Sequence, residues 1–190
     1  MVANMVKRVI MNAFIDLLSK SPMEKITVND IVAKSGVSRQ TFYNYFSDKY
    51  DLLQCIYKED LDQSVEEGRE TCLTYIDVWF ELFKRRKKFY LHAFEMQGPN
   101  SLTTFLVNLH HKRATEIVRK SGIILDKQQK IQLRIYNHGS VAMIYELLKK
   151  GTNISGADLD QIFQRAAPEF LQRAWGFYTH KELNIPESEK

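Results

Sequence analysis

The sequence predicts an all-α protein, and three observations carry that prediction. Apolar residues recur at i, i+3, i+4 and i+7 along most of the 190 residues. No stretch shows a period-2 alternation of the kind that marks a half-buried strand. Glycine or proline at Ser21-Pro22, Ser35-Gly36, Gln97-Gly98-Pro99-Asn100, Ser121-Gly122 and Gly151 separates periodic segments and punctuates helices. There is no internal repeat and no low-complexity segment, and the pattern allows about eight to ten helices.

Val6, Val9, Ile10, Ala13, Phe14, Leu17 and Leu18 define an amphipathic first helix ending near Ser21-Pro22. Thr27 is a good N-cap with Asp30 three residues on, so hydroxyl and carboxylate can satisfy the free amides of a short second helix. Val28, Ile31 and Val32 fall on its apolar face. Gly36 supplies the left-handed backbone that ends it, and Ser38 caps the next helix, Arg39 to about Tyr45. Phe42 and Phe46, at helical spacing, face the core and leave Arg39, Gln40, Tyr43 and Asn44 outward. Two short helices joined by a glycine-containing turn describe a helix-turn-helix, whose second helix enters the major groove of DNA.

Ser47 or Asp48 then caps a connecting helix bearing Leu52, Leu53, Ile56, Tyr57 and Leu61, with a charged, exposed portion at Glu59–Glu70. Tyr75, Ile76, Trp79, Phe80 and Phe83 form an aromatic helical face ahead of the basic run Lys84–Lys88, read as a solvated face or helix end. Ser101 caps a helix through Leu102, Phe105, Leu106, Leu109, Ile117 and Val118 to Ser121-Gly122. The longest apolar pattern runs from Ile131 to Leu148, through Leu133, Ile135, Tyr136, Val141, Met143, Ile144 and Leu147. It stops at Gly151 after Lys149 and Lys150, which suit a helix C-terminus. The polar connection Thr152–Gly156 leads to a last helix, about Asp158–His180.

The formal charge of +4 is unevenly spread. Residues 1–50 hold seven Lys or Arg against four Asp or Glu; residues 51–70 hold two against seven. A basic start beside polar helices supplies phosphate attraction. Cys55 and Cys72 have no metal-type spacing, so the chain calls for no disulfide framework, zinc site or other cofactor. His110-His111 and the scattered carboxylates form no nucleophile, metal or phosphate-loop constellation, and an enzyme is not expected. With no signal-peptide pattern and no long apolar run, the expected location is cytoplasmic.

The run GVSRQTFYNYFSDKYDLL closely resembles the signature of TetR-family transcription factors, and the likeness covers Val6–Leu53. It implies a three-helix DNA-binding head, residues 1–48, on a helical body, residues 49–190, that dimerises and binds a small ligand. KKFYLHAFEMQGPNSLTTFL, followed by YNHGSVAMIYELLKKG, is similar to the body of a TetR branch that includes dihydroxyacetone kinase regulators. It lacks the Trp that this branch shows near Leu147 or Leu148.

Arg39 and Gln40 are the candidates for base contacts, since Arg can grip guanine and Gln adenine bidentately. Tyr43 can meet a thymine methyl or a phosphate, and Asn44 either. The resemblance places phosphate contacts at Thr27, Ser38, Thr41, Tyr45 and Lys49; for Thr27 and Ser38 capping alone is the other reading. Lys7 and Arg8 are further phosphate or minor-groove candidates. Tyr75, Trp79, Phe83, Phe94, Phe105, His110, Tyr136, His138 and Tyr145 are either core or the lining of an effector pocket. The resulting expectation is a repressor acting as a homodimer through Gln128–Lys150 and Asp158–His180 on a palindromic operator, under a small-molecule effector. The alternative is a DNA-binding regulator whose body is controlled by a protein partner.

Overall fold

A computed structural model of the chain describes residues 2–71 and 75–176, apart from the side chains of residues 2, 3, 67–71, 75 and 77. The helices are α1 (Val2–Leu18), α2 (Val28–Ser35), α3 (Arg39–Tyr43), α4 (Lys49–Thr71), α5 (Tyr75–Arg85), α6 (Lys87–Glu95), α7 (Leu102–Lys120), α8 (Lys127–Lys150), α9 (Gly156–Ala166) and α10 (Glu169–Gly176). A single 3-10 turn, Met23–Lys25, precedes α2. No strand occurs among the described residues, and no helix there is long and apolar enough to cross a membrane.

The local stop and start signals act as their chemistry dictates. Thr27 and Asp30 form a reciprocal capping box at α2. Gly36 closes α2 at φ 72°, in the left-handed region where a side chain would be strained. Ser38, Ser101, Asp126 and Ser155 cap α3, α7, α8 and α9 through their side-chain oxygens. At α4 it is Asp48 whose carboxylate takes the amides of Tyr50 and Asp51, both at 2.8 Å.

Three expectations need correction. The single last helix Asp158–His180 is two helices within the described residues, because Pro168 has no N–H to give and forces Ala167 into extended backbone (φ −67°, ψ 145°). Its end at His180 lies outside the described residues. The third helix stops at Tyr43, with Asn44 as its C-cap. The charged portion of α4 is not uniformly solvated: Leu61, Ser64 and Val65 are buried. Asp60 accepts the hydroxyl of Tyr90 at 2.7 Å and the Nε–H of Arg86 at 3.2 Å. Burial raises the pKa of Asp60, while Tyr90 and Arg86 pull it back.

One large core runs from α1 through to α9, and a smaller one gathers Ala114, Val118, Leu133, Ala167, Phe170, Leu171 and Ala174 from α7, α8 and the α9–α10 region. Helix α8 buries Leu133, Val141, Ile144 and Leu148 but leaves Ile131, Ile135 and Met143 about half exposed or more, at 52%, 67% and 46%. Helix α6 packs between α1 and α8. Its Phe89 packs edge-on to Phe14 of α1, and the Nδ1–H of His92 donates to the Leu18 carbonyl at 2.6 Å. On the other side its Phe94 meets Tyr145 of α8.

Candidate nucleic-acid interface

Helix α3 is seated by three side chains with no accessible surface to speak of: Ile31 from α2, Phe42 from α3 itself and Phe46 just beyond it. Half-buried Val28, Val32, Val37 and Tyr45 pack around them. With that side fixed, Arg39, Gln40, Tyr43 and Asn44 are all solvent-exposed, so the four candidate base-reading residues share the free side of a rigid element.

Arg39 is already oriented. Its Nη1 donates to Asn29 Oδ1 at 2.8 Å, and its guanidinium stands over the Tyr43 ring, 5.9 Å from the centroid. Tyr43 in turn rests edge-on against buried Phe42, with centroids 5.3 Å apart. Asn29 escaped the sequence reading. Its signal was present, since it is the first exposed polar residue after the Thr27 cap, where a helix-turn-helix brings α2 beside the start of α3.

The candidate phosphate-contacting residues divide. The Thr27 and Ser38 hydroxyls accept the amides of Asp30 and Thr41, so both act as caps. Thr41 Oγ1 pairs with Ser38 Oγ at 2.8 Å. The hydrogen bond from the Thr27 hydroxyl holds the Asp30 carboxyl below its usual pKa. Tyr45 is half-buried against Phe46. Lys49, half-buried, turns inward: its Nζ donates to the carbonyls of Met23 at 2.8 Å and Ile26 at 2.7 Å.

Against known families, a family model described as "Bacterial regulatory proteins, tetR family" matches residues 10–56, the whole helix-turn-helix. A second, "Transcriptional regulator C-terminal region", matches residues 70–168, more than half of the chain. The chain belongs to the TetR family. This TetR-family transcriptional regulator is 26% identical over 118 residues to the HTH-type dhaKLM operon transcriptional activator DhaS of Lactococcus lactis subsp. lactis (strain IL1403). That match covers 56% of the chain and 63% of the relative. It is 32% identical over 75 residues to the uncharacterized HTH-type transcriptional regulator YvdT of Bacillus subtilis (strain 168), covering 36% and 39% of the two chains. The chain therefore spans less than two thirds of either relative. A solved structure named dihydroxyacetone kinase operon activator DhaS shares the fold, with a TM-score of 0.57 at 18% identity over 89% of this chain and 96% of that one.

Of the body candidates, Trp79, Phe83, Phe94, Phe105, His110 and Tyr145 come together in the TetR-family body. Trp79 stands 4.3 Å from the His110 ring and 5.5 Å from Phe83. Phe83 meets Phe94 at 5.2 Å, and Phe94 meets Tyr145 at 5.3 Å. Tyr57 joins Phe83 to Phe105, and Tyr90 packs edge-on to Phe83; the sequence reading had given these two tyrosines no part in the cluster. Three candidates stand apart. Tyr136 belongs to the smaller core, beside Trp175, with its hydroxyl donating to the Phe163 carbonyl at 3.0 Å. His138 is on the exposed side of α8. The side chain of Tyr75 lies outside the described residues.

The cluster is not electrostatically inert. Trp79 is 1% exposed and its indole Nε1–H has no hydrogen-bond partner among the described residues. Burial pushes the His110 imidazole down to a pKa of about 3, with the Arg113 charge adding to the effect. No group of His, Cys, Asp and Glu able to hold a metal ion occurs among the described residues.

Proposed function

We propose that this regulator reads a palindromic operator as a homodimer, with residues 1–48 as the reading head and residues 49–190 as the controlling body, in the cytoplasm. The observation that carries the reading is Arg39, held by Asn29 and Tyr43 on one exposed face with Gln40 and Asn44. Arg39 and Gln40 contact base edges; Tyr43 and Asn44 contact bases or the adjacent backbone. Thr27, Ser38, Thr41 and Tyr45 flank them on the phosphate side. The apolar side chains exposed on α8, together with Ile162 of α9 at 53% exposure, support a second copy packing on that face.

Control comes through the body. An unpartnered buried indole N–H is costly, so the Trp79 donor supports a small effector that supplies an acceptor among these aromatics. Such a ligand acts by binding one arrangement of α6 better than another, and α6 holds α1 through Phe89 and His92. A protein partner in place of a small effector is the second reading. It is favoured by Ile124, a large apolar side chain 94% exposed in the α7–α8 connection. Repression is the expected sign of control; the name of the DhaS relative supports activation as its rival.

The test is selection. Full-length protein should enrich, from a pool of randomised duplexes, an inverted repeat whose half-sites are about one helical turn apart. Enrichment of unrelated sequences would contradict the reading.

A further inference from the structure

Lys49 opens α4, and its half-buried ammonium is directed onto backbone carbonyls. Besides the two carbonyls, its Nζ lies 5.5 Å from the centroid of the Tyr50 ring. The acceptors belong to a turn 23 and 26 residues earlier in the chain, and the residues carrying them, Met23 and Ile26, are 0% and 2% exposed. Buried apolar side chains thus anchor that turn from below while one ammonium binds its carbonyls from above. A hydrogen bond from a charged donor is stronger than a neutral one.

The electrostatic surroundings favour this inward role over an anion contact. The carboxylates of Glu24, Asp30 and Asp48 all act on the Lys49 charge, so a phosphate approaching Lys49 would also meet three like charges. Burial lowers the Lys49 pKa, as expected of an ammonium that has exchanged water for protein acceptors.

We infer that Lys49 is a positioning residue for the DNA reader: it fastens the start of α4 to the Met23–Ile26 turn, and so fixes where α2 begins and where Asn29 holds Arg39. The connection is continuous. The Ile26 carbonyl is next to Thr27, whose capping box starts α2; two residues on, Asn29 accepts Arg39. A residue placed by family resemblance among phosphate contacts therefore acts through other residues. The inference rests on the DNA-reading function proposed above.

The test compares Lys49→Met with Lys25→Met in the full-length protein. Both remove one cation from the same turn region, and Lys25 is solvent-exposed. Amide hydrogen exchange is measured without DNA, and binding with the duplex selected by the wild type and a scrambled duplex. Lys49→Met should speed exchange from Lys25 to Ile31 by about tenfold while α6–α8 amides keep their rates, and should weaken selected-duplex binding by about tenfold. Its preference over the scrambled duplex should shrink. Lys25→Met should leave exchange and preference unchanged. Unchanged exchange in Lys49→Met, with the slope of log affinity against log salt reduced by about 0.9, would make Lys49 a phosphate contact and overturn the inference. Faster exchange with wild-type sequence preference would overturn it too. Failure of the wild type to select any duplex would remove the reading function and the positioning role with it, whereas the fastening of the turn stands or falls on exchange alone.

Discussion

Arg39 Nη1 lies 2.8 Å from Asn29 Oδ1, so the first residue of α3 is held by the second residue of α2. Both side chains are exposed, and the bond preorganises the guanidinium before any DNA arrives. Asn29→Ala should therefore leave folding stability within about 0.5 kcal/mol. It should narrow the preference for the selected duplex over a scrambled one by about 1 kcal/mol, the lower end of a base-reading contact. Competition titrations check both duplexes; an undiminished preference would show that Arg39 orients itself.

The α2 termini make a separable pair. Thr27→Ala removes a cap and should destabilise the protein by about 1 kcal/mol. At Gly36 a Cβ would meet nothing within 4 Å, so the only penalty of Gly36→Ala is backbone strain at φ 72°, about 1 kcal/mol. Urea unfolding of the full chain measures each. A loss well above this at Gly36 would point to a steric contact not accounted for.

These two positions also show why the head was so legible. Thr27 with Asp30, Gly36 and Ser38 act on their own neighbours within three or four residues, and local sequence records local chemistry. Lys49 is different: its partners lie 23 and 26 residues away, and a lysine at a helix start reads as an anion contact until the fold turns it inward. The body shows the same limit. Helical spacing placed Phe83 and Tyr136 alike on apolar faces, but only the packing of helices assigns one to the central aromatic cluster and the other to the smaller core. Ile131 and Ile135 fitted the α8 pattern and proved exposed, because periodicity marks an apolar face without naming what covers it. The α9–α10 break, by contrast, has a local signal in Pro168, which has no N–H to give and ends α9 at its C-cap, Ala167, the residue before it.

His110 gives a pH dependence whose sign is fixed. Its folded pKa of about 3 lies below the ordinary 6.5, so its contribution to stability is full above about pH 6.5 and is lost as pH falls toward 3. Between pH 7 and pH 5 the wild type should lose about 2 kcal/mol more than His110→Gln. Urea midpoints at the two pH values compare them; parallel losses would mean that the imidazole is protonated in the folded core.

Trp79→Phe keeps an aromatic ring while deleting the buried, unpartnered N–H. Deleting that donor offsets part of the smaller ring's lost packing, so the loss of stability should stay below about 1.5 kcal/mol, against about 3–5 kcal/mol for Phe83→Ala at the centre of the cluster. Thermal unfolding of the two variants is the measurement. A Trp79→Phe loss as large as that of Phe83→Ala would show that the indole N–H is satisfied in the folded protein.

Ile135→Glu places a charge on the exposed stripe of α8 without touching the core. Sedimentation should show it as a monomer with a wild-type melting profile, and its affinity for the inverted repeat should drop by at least about tenfold, because one copy contacts one half-site. A variant that still sediments as a dimer would move the interface elsewhere.

The most direct test of DNA reading by α3 is fluorescence anisotropy with the selected duplex and a scrambled control, comparing the wild type with Arg39→Ala plus Tyr43→Ala. The wild type should prefer the selected duplex, and the double variant should lose most of that preference while keeping weak, salt-sensitive binding to both. Equal affinity of the wild type for the two duplexes, or an undiminished preference in the double variant, would contradict the assignment of α3 as the reading helix.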